Sequence, residues 1–434
     1  MPSRRAFLAA AALTAATSGC AGPADALLGV GPVVRVAVSW SAAELEAFRA
    51  VLDSLDVGYR VDLIPLGDEI ATAFGSRTAH RPDVVMLPRP GLVRTHLREL
   101  DPLPDDLLPQ PWPYAEVWRP MLCHAGRWYG LPFKSAHKST VWYRRSVFDD
   151  HGLPPPQGWR EWLALNRTLS ERGVTPLALP GADGWMLTDF FENVLLGYAP
   201  DAYDRLTGPG PVSLSDEPAV SQALGLLGQM WASTGSADGV QRALVQQFSD
   251  AVVEVFGYQR AAMVVAPDFA EPLVRDFARG DFEIFTFPTV DEAPATPGHR
   301  SGPLRLLIGG DVAVVRAGSI PEARDLVIRL TDPQAALPWI RDYHGFLAPN
   351  KDTPYRDYTP EARKLAGQLS ANGPALRFDL SDQLGPLGEG LGTVLQGFLA
   401  QVGGRGDRAD LTVPVEWARR RLAELERRLG EFRG

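Results

Sequence analysis

The chemistry that this sequence could carry rests first on its acidic side chains. Asp189 and Glu192 lie three residues apart, and together with Asp311 they could supply the pair of carboxyl groups that glycoside hydrolysis requires. A secreted glycosidase is therefore one alternative. The sequence contains no Gly-x-Ser-x-Gly, His-Glu-x-x-His or Gly-x-x-x-x-Gly-Lys-[Ser/Thr] motif, which disfavours serine hydrolases, zinc peptidases and nucleotide hydrolases. We therefore predict no catalytic residue, no metal site and no cofactor.

An aromatic side chain offers a different chemistry, the binding of a ligand through a ring face. Trp185 follows the small residues 181–184, and Asp189 and Glu192 lie one and two helical turns further on. This presentation favours a ligand platform, and core packing is the alternative. Five of the 11 Trp residues are assigned to packing instead: Trp128, Trp142, Trp159, Trp162 and Trp339.

The first twenty residues have the character of an export signal. Arg4 and Arg5 precede a short apolar stretch, about half the ~20 residues that a membrane-spanning helix needs. The paired arginines resemble a twin-arginine signal. Ser18-Gly19-Cys20 resembles a bacterial lipobox, in which Cys20 would be acylated and would begin the mature chain. The alternative is an ordinary secretory signal in which Cys20 has no role.

Composition points to two domains outside the cytoplasm. The chain has 434 residues, 45% of them hydrophobic, which is too long for one ordinary domain. Its net charge of -9 is spread without a basic patch, which argues against nucleic acid as a partner. After Cys20 no apolar run approaches the length of a membrane span. Cys123 is then the one remaining cysteine, so an internal disulfide is not expected.

The elements alternate in a way that predicts a parallel sheet covered by helices. Strands are expected over 33–38, 59–64 and 82–87, with helices over 42–55 and 68–76 between them. Further strands are expected over 139–143, 261–265, 282–288 and 306–315, and a hairpin edge over 126–132. Ser41 and Glu44 fit a capping box at the first helix, and residues 417–432 fit a surface helix.

Six segments, in order along the chain, together resemble a known family. They are Arg81-Pro82-Asp83-Val84-Val85; Gly126-Arg127-Trp128-Tyr129-Gly130-Leu131-Pro132 with Trp142-Tyr143-Arg144-Arg145-Ser146-Val147-Phe148; Gly152-Leu153-Pro154-Pro155-Pro156-Gln157-Gly158-Trp159-Arg160-Glu161-Trp162; Gly181-Ala182-Asp183-Gly184-Trp185; Gly309-Gly310-Asp311-Val312-Ala313-Val314; and Gly345-Phe346-Leu347-Ala348-Pro349-Asn350. In this order, and behind a lipobox-like signal, they resemble the extracellular solute-binding proteins of ABC importers, in particular the sugar-binding, maltose-binding-protein-like group.

The resemblance implies an α/β fold of two lobes, the type II periplasmic-binding architecture, with crossing hinge strands. The expected division is an export signal over 1–20, a tether over 21–32, an N-terminal lobe over 33–137 plus 311–350, and a C-terminal lobe over 138–310 plus 351–434. It also implies a sugar or oligosaccharide held between the lobes, handover to ABC permease subunits, a lipid anchor on the outer face of the cell membrane, and a monomer. A receptor that delivers ligand to a membrane sensor is a further alternative.

Sugar recognition needs aromatic faces and planar polar groups, and several residues are placed to supply them. Trp40 and Ser41 end the first strand, and Arg89 follows the third, at the rim where open α/β sheets bind ligands. Lys134 and Lys138 flank the first crossing and are expected to reach the cleft or solvent. The complete predicted ligand-binding set is Trp40, Ser41, Arg89, Lys134, Trp185, Asp189, Glu192, Asp268, Gly310, Asp311 and Asp382.

Overall fold

A computed structural model describes residues 31–40, 42–75, 81–208, 210, 212–234, 237–290, 305–403, 405 and 409–431. The export signal, Cys20, most of the tether and Ser41 lie outside this set, so the predictions made on them stay predictions. The thirteen strands of the described residues are β1 Val33–Val38, β2 Arg60–Pro65, β3 Val84–Leu87, β4 Leu100–Asp101, β5 Cys123–His124, β6 Arg127–Trp128, β7 Leu131–His137, β8 Thr140–Tyr143, β9 Thr175–Ala178, β10 Ala261–Val265, β11 Glu283–Thr286, β12 Leu306–Arg316 and β13 Leu376–Phe378.

Seventeen α-helices occur in the same described residues, several of them a single turn. They are α1 Ala42–Ser54, α2 Thr72–Gly75, α3 Leu92–Thr95, α4 Arg119–Leu122, α5 Arg145–His151, α6 Trp159–Glu171, α7 Gly184–Tyr198, α8 Pro200–Thr207, α9 Pro218–Ala232, α10 Ala237–Val245, α11 Phe248–Phe256, α12 Glu271–Ala278, α13 Pro321–Arg329, α14 Pro360–Ala371, α15 Leu380–Leu384, α16 Pro386–Val402 and α17 Thr412–Glu431. None of the helices described is both long and apolar enough to cross a membrane.

The first sheet has seven strands and forms one α/β lobe. Its main path runs β13-β12-β3-β1-β2, with β4 and β7 also pairing with β12. The β1 strand pairs in parallel with β2 and β3, as the strand-helix-strand pattern predicts. The intervening helix α1 buries Phe48 and Val51 against this sheet, so its apolar spacing sets which face meets the core.

The second sheet has four strands, in the order β11-β8-β10-β9, and forms the other lobe. Alternate residues of β8 face opposite sides of this sheet, because side chains along a strand alternate. Trp142 joins the apolar core that continues into the first lobe, whereas Val141 and Tyr143 join the separate core beneath α7, α9 and α16. The five tryptophans assigned to packing are all buried, which confirms that prediction.

Two antiparallel strands link the lobes. The long strand β12 pairs with β7, with Asp311 opposite Lys134 and Gly310 opposite Ser135, and a register shift follows Asp311. A Cβ atom on Gly310 would collide with the Lys134 carbonyl oxygen and would lie 2.7 Å from the Trp118 ring. Glycine at this position therefore permits the close approach of the two strands.

Most predicted elements are present, with shifted ends. The expected helix over 68–76 is instead one 3₁₀ turn at Gly67–Glu69 and the single turn α2. The expected hairpin is the ribbon β5-β6, and the last helix, α17, begins five residues before its predicted start. Apart from this broken helix, the differences lie at element ends, where local patterns are weakest.

Candidate functional site

The Lys134 side chain lies at the centre of a group of acids contributed by both lobes. Lys134, from β7, is 2% exposed, and its Nζ donates a 2.9 Å hydrogen bond to Glu44 Oε1 in α1. Asp311 lies opposite it on β12, and Asp268 follows β10 in the second lobe. We call Lys134, Glu44, Asp268 and Asp311 the Lys134 cluster.

Aromatic rings border this cluster on both sides. Lys134 Nζ lies 4.8 Å from the centroid of the Trp339 ring and 5.5 Å from that of the Phe269 ring, distances at which a cation is attracted to a ring face. Phe269 belongs to the second lobe, whereas Trp339 packs against the first. The lysine therefore contacts rings from both lobes.

Trp185 extends this aromatic border towards solvent. Its ring centroid lies 6.1 Å from that of Phe269 and 5.7 Å from that of Phe248. Trp185 is 40% exposed, in contrast with the five buried tryptophans assigned to packing. It is the second residue of α7, and at the start of this helix the Asp183 carboxylate accepts a hydrogen bond from the Phe248 backbone N–H and fixes the turn. The ring is thus held in place while much of its surface stays available.

Burial and charge act in opposite directions on the ionisable groups of the cluster. Burial would lower the pKa of Lys134, but the charges of Glu44 and Asp311 outweigh it, so the pKa of Lys134 is raised above its ordinary value. Burial raises the pKa of Asp311 to about 7, although Lys134 opposes the shift. Lysine stays charged in this cluster, while Asp311 titrates near neutral pH.

Asp268 ties the cluster to the crossing strands. Its Oδ1 accepts a 2.6 Å hydrogen bond from the His137 backbone N–H, whereas its buried Oδ2 has no hydrogen-bond partner among the described residues. Burial raises the pKa of Asp268 to about 7, with Lys134 opposing the shift. The second lobe therefore contacts the end of β7 through this carboxyl group.

A second lysine, Lys138, lies just beyond β7 and has a different environment. Its Nζ donates to Asp189 Oδ1 at 3.0 Å and also to Asp379 Oδ2. The side chains of Asp189 and Asp379 are only 3% and 7% exposed. We call Lys138, Asp189 and Asp379 the Lys138 cluster. The Lys138 ammonium group is paired with these two carboxylates, and its reach to the cleft or solvent stays a prediction.

Enclosure shifts the pKa values of the ionisable groups in the Lys138 cluster. Burial would lower the pKa of Lys138, but Asp189 and Asp379 outweigh it and hold that pKa above its ordinary range. Burial also raises the pKa of Asp189, with Lys138 opposing the shift. The ion pairs therefore offset a large desolvation cost, as is usual for enclosed charges.

Glu192 is fully buried next to the Lys138 cluster. Its carboxylate accepts hydrogen bonds from the backbone N–H groups of Leu380 at 2.6 Å and Ser381 at 2.9 Å, and from the Tyr203 hydroxyl at 3.0 Å. Burial raises its pKa, and the nearby Asp379 and Asp189 charges add to the shift. Through these contacts Glu192 holds residues 379–381 in position, which gives its burial a structural reason. A ligand role for Glu192 stays a prediction.

Three other predicted residues lie apart from the Lys134 cluster. Trp40 is 4% exposed. Its ring centroid lies 4.9 Å from that of Phe48 and 5.2 Å from that of Trp339, so Trp40 packs against one of the rings that border the Lys134 cluster. Arg89 forms a 3.4 Å surface ion pair with Glu389. Asp382 accepts a 2.7 Å hydrogen bond from the Gly91 backbone N–H. Ligand roles for these three also stay predictions.

The structure brings in two residues that sequence reasoning missed. The capping box predicted for Glu44 involves Ser41, which lies outside the described residues; the structure pairs the Glu44 carboxylate with Lys134, ninety residues away. Phe269 is adjacent to the predicted Asp268 and follows a buried strand at the carboxyl edge of the second sheet. That position is where ligands of open α/β sheets bind, so the signal for Phe269 was available.

The site combines a partly open ring with oxygen acceptors, which suits a polyhydroxylated solute. Trp185 offers a ring face, and the half-exposed Glu44 offers carboxylate oxygens next to buried Asp311. Over the described ranges, no group of three or more His, Cys, Asp or Glu side chains is arranged to hold a metal ion.

Similarity to solved structures agrees with this architecture. A bacterial solute receptor, AcbH, described as preferring β-D-galactopyranose, superposes with a TM-score of 0.76 at 15% identity, covering 92% of this chain and 99% of its own. A maltose-bound MalE3 from T. maritima superposes with a TM-score of 0.67 at 17% identity, covering 91% and 99%. Together with the two sheets and their helix layers, these likenesses confirm the predicted two-lobe α/β fold.

Sequence comparison identifies relatives that span most of the chain. An osmoprotective compounds-binding protein, GgtB, from Synechocystis sp. is 27% identical over 369 residues, covering 81% of this chain and 84% of the relative. An alpha-glucosides-binding periplasmic protein, AglE, from Rhizobium meliloti is 28% identical over 359 residues, covering 78% and 75%. The sequence model described as bacterial extracellular solute-binding protein matches residues 55–336, well over half of the chain. The chain therefore belongs to the family of bacterial extracellular solute-binding proteins.

Proposed function

We propose that this protein captures a sugar or short oligosaccharide between its two lobes outside the cytoplasm and delivers it to an ABC permease. The observation that carries the proposal is the partly exposed Trp185 ring beside the Lys134 cluster. Sugar rings present an apolar face that stacks on an aromatic side chain and hydroxyl groups that bind carboxylates. The name of the relative AglE, an alpha-glucosides-binding protein, supports the same class of solute.

In the proposed mechanism, closure of the lobes completes the binding site. Glu44 and Asp311 come from the first lobe and the hinge, and Trp185 and Phe269 from the second, so a ligand touching both sets gains contacts only when the lobes approach. The permease then recognises the closed arrangement. Lys134 holds the Glu44 carboxylate in one orientation, so that its oxygens are positioned before the ligand arrives.

The proposed lobes keep the predicted division, 33–137 plus 311–350 and 138–310 plus 351–434, except that the start of β12 and the strand β13 complete the sheet of the first lobe. The protein acts as a monomer. Export uses the twin-arginine-like signal over residues 1–20, and lipid on Cys20 holds the mature protein at the outer face of the cell membrane. Cys20→Ser should release the protein into the medium. An unmodified N-terminus downstream of Cys20 in the wild-type protein, measured by mass spectrometry, would contradict the anchor.

We propose binding without catalysis. The carboxyl pair of the glycosidase alternative, Asp189 and Glu192, is engaged by Lys138 and by backbone N–H groups, which leaves these acids poorly placed to protonate a substrate. The bound sugar should therefore be recovered unchanged. Steady release of a cleaved product that Asp189→Asn or Glu192→Gln abolishes would overturn this part of the proposal.

A thermal-shift screen against a carbohydrate panel tests the main proposal. A ligand present at ~100 times its dissociation constant should add ~2.7 kcal/mol to the free energy of unfolding, because it binds only the folded state. At least one saccharide should raise the melting temperature of the wild type and do so much less for Trp185→Ala. No stabilisation by any mono- or oligosaccharide of the panel would contradict a sugar ligand.

A further inference from the structure

The Lys134 cluster contains more acidic than basic groups. Its acids are Glu44, Asp268 and Asp311, and the charge of each acts on Lys134, the single cation of the cluster. Lys134 is hydrogen-bonded to Glu44, so the charges of these two groups offset each other. Asp268 and Asp311 therefore remain as a surplus of two carboxyl groups.

The two surplus acids have no cation of their own. Among the described residues, neither carboxyl group forms an ion pair with a Lys, Arg or His side chain, although the charge of the cluster lysine acts on both. Lys138 also acts on Asp311, but its ammonium group is bound to the two carboxylates of the Lys138 cluster. Glu271 adds a further negative charge near Asp268. The surroundings therefore leave the negative charge of this pair largely uncompensated.

One oxygen of this pair is a buried acceptor without a donor. Asp268 is 3% exposed, and within the part of the chain that the structure describes no group donates to its Oδ2. Its Oδ1 accepts from the His137 backbone N–H, which fixes the orientation of the carboxyl group. An ionised carboxylate at such a position is costly unless a cation or further donors meet it. Burial accordingly raises the pKa of both Asp268 and Asp311 to about 7.

An aromatic face beside these acids is open to solvent. Phe269 directly follows Asp268, and its ring centroid lies 6.1 Å from that of Trp185. The Trp339 and Phe269 rings already face Lys134, whereas no Lys or Arg side chain of the described residues lies over the Trp185 ring. Tryptophan is the aromatic side chain that attracts cations most strongly. The acids and this ring together suit a solute that is both hydroxylated and positively charged.

We propose that the solute is a saccharide that carries a protonated amino group, and that Asp268 and Asp311 bind this group beside the Trp185 ring. This ligand class rests on the proposed function and narrows it, since a neutral sugar would leave both carboxyl groups without a counterion. The ammonium group donates hydrogen bonds to the carboxylate oxygens, among them Oδ2 of Asp268, and keeps both acids ionised. Binding below neutral pH therefore releases protons from them.

Isothermal titration calorimetry of the full mature chain at pH 6.5 tests the proposal. The probes are amino derivatives of glucose and galactose and chitosan oligosaccharides, each beside its N-acetylated form and its parent sugar. At least one amino saccharide should bind about tenfold more tightly than its N-acetylated form, because only the amine supplies a charge-assisted hydrogen bond. In buffers of different ionisation enthalpy, its binding should release about one proton or more, whereas the neutral forms should release none.

Two variants assign the effect to the surplus acids. Asp268→Asn and Asp311→Asn keep the shape of the side chain and remove its charge. Each should reduce the preference for the amino saccharide to about threefold or less and should lower the proton release. The melting temperature without ligand checks that each variant is folded, and Asp311→Asn alone decides if Asp268→Asn is not. Asp276→Asn is the matched control, because Asp276 is an exposed acid of α12 outside the cluster, and it should bind as the wild type does.

The outcomes separate this ligand class from the proposed function. Tight binding of a neutral sugar, with amino forms bound equally or more weakly, overturns the amino group and leaves the proposed function standing. A preference for amino forms that both Asn variants retain overturns the roles of Asp268 and Asp311. No binding of any charged or neutral saccharide contradicts both the amino-saccharide ligand and the proposed function.

Discussion

Lys134 and Lys138 lie four residues apart at the same crossing, and each is surrounded by acids, yet their environments differ. The carboxylate that Lys134 contacts, Glu44, has 44% of its side chain exposed, and aromatic rings border the cluster. The carboxylates that Lys138 contacts, Asp189 and Asp379, are almost completely enclosed. The exposure of the partners separates the two clusters, since both lysine side chains are themselves largely enclosed, at 3% and 13% exposed.

This difference distinguishes a cluster that can bind a ligand from one that supports the fold, although the two clusters contain the same residue types. A partner that can reach water can also exchange water for a ligand hydroxyl, at little cost in folding. An enclosed partner cannot lose its counterion without leaving a buried charge. We therefore expect substitutions at Lys138 to act on stability, and substitutions around Lys134 to act on stability less and on binding more.

The largest effect is expected for Lys138→Met. The variant leaves Asp189 and Asp379 buried without a counterion, which should lower the free energy of unfolding by about 3–5 kcal/mol. Chemical denaturation at pH 7.5 measures it. The control is Lys351→Met, at an exposed lysine, which should change stability by less than about 0.5 kcal/mol. Equal stability of the two variants would remove the distinction between the clusters.

A smaller loss of stability is expected for Lys134→Met. Glu44 can turn towards solvent, so the cost should be about 1–3 kcal/mol, the range for leaving a buried polar group without its partner. Part of the loss should be recovered at pH 5, because Asp311 and Asp268 can then bind protons. Denaturation curves of wild type and variant at pH 5 and pH 8 give this comparison. A loss as large as that of Lys138→Met would contradict the role of partner exposure.

Trp185→Ala should affect binding rather than folding. Loss of the ring should weaken the binding of a stabilising sugar by about 1–3 kcal/mol, the scale of an aromatic contact in a desolvated pocket. The melting temperature without ligand should change little, because the ring is 40% exposed. Calorimetry with and without sugar separates the two effects. A strongly destabilised variant that binds with native affinity would place Trp185 in the core instead.

The last effect expected is a change in pH dependence for Asp311→Asn. The folded state holds the pKa of Asp311 at about 7, above its value of about 4 in the unfolded chain, so the folded state retains this proton longer. The contribution to stability is complete below pH 4 and is lost as the pH rises to about 7. Removing the group should therefore stabilise the variant relative to wild type at pH 8 by roughly 2–3 kcal/mol, compared with pH 5. Parallel pH profiles of the two proteins would contradict this titration.

Much of the fold can be predicted from the sequence, because the signals for its elements are local or follow the order of the elements along the chain. The parallel β1, β2 and β3 strands, the buried tryptophans and the glycines of β12 each leave such a signal. The site was predicted less completely, since its contacts join distant parts of the chain. The spacing around Glu44 is equally typical of a helix cap, and its pairing with Lys134 depends on how β7 crosses the first lobe. Trp185 was found because its turn is local, whereas the enclosure of Lys138 arises from residues 189 and 379.

The close approach of β7 and β12 at Gly310 has a consequence for how such a protein can evolve. Even a single methyl group there would strike the Lys134 carbonyl oxygen and the Trp118 ring, so the geometry of the hinge cannot be adjusted gradually. The rim at Trp185 is more open, since this side chain is 40% exposed. New ligand preferences should therefore arise at the rim, on a hinge that is inherited unchanged.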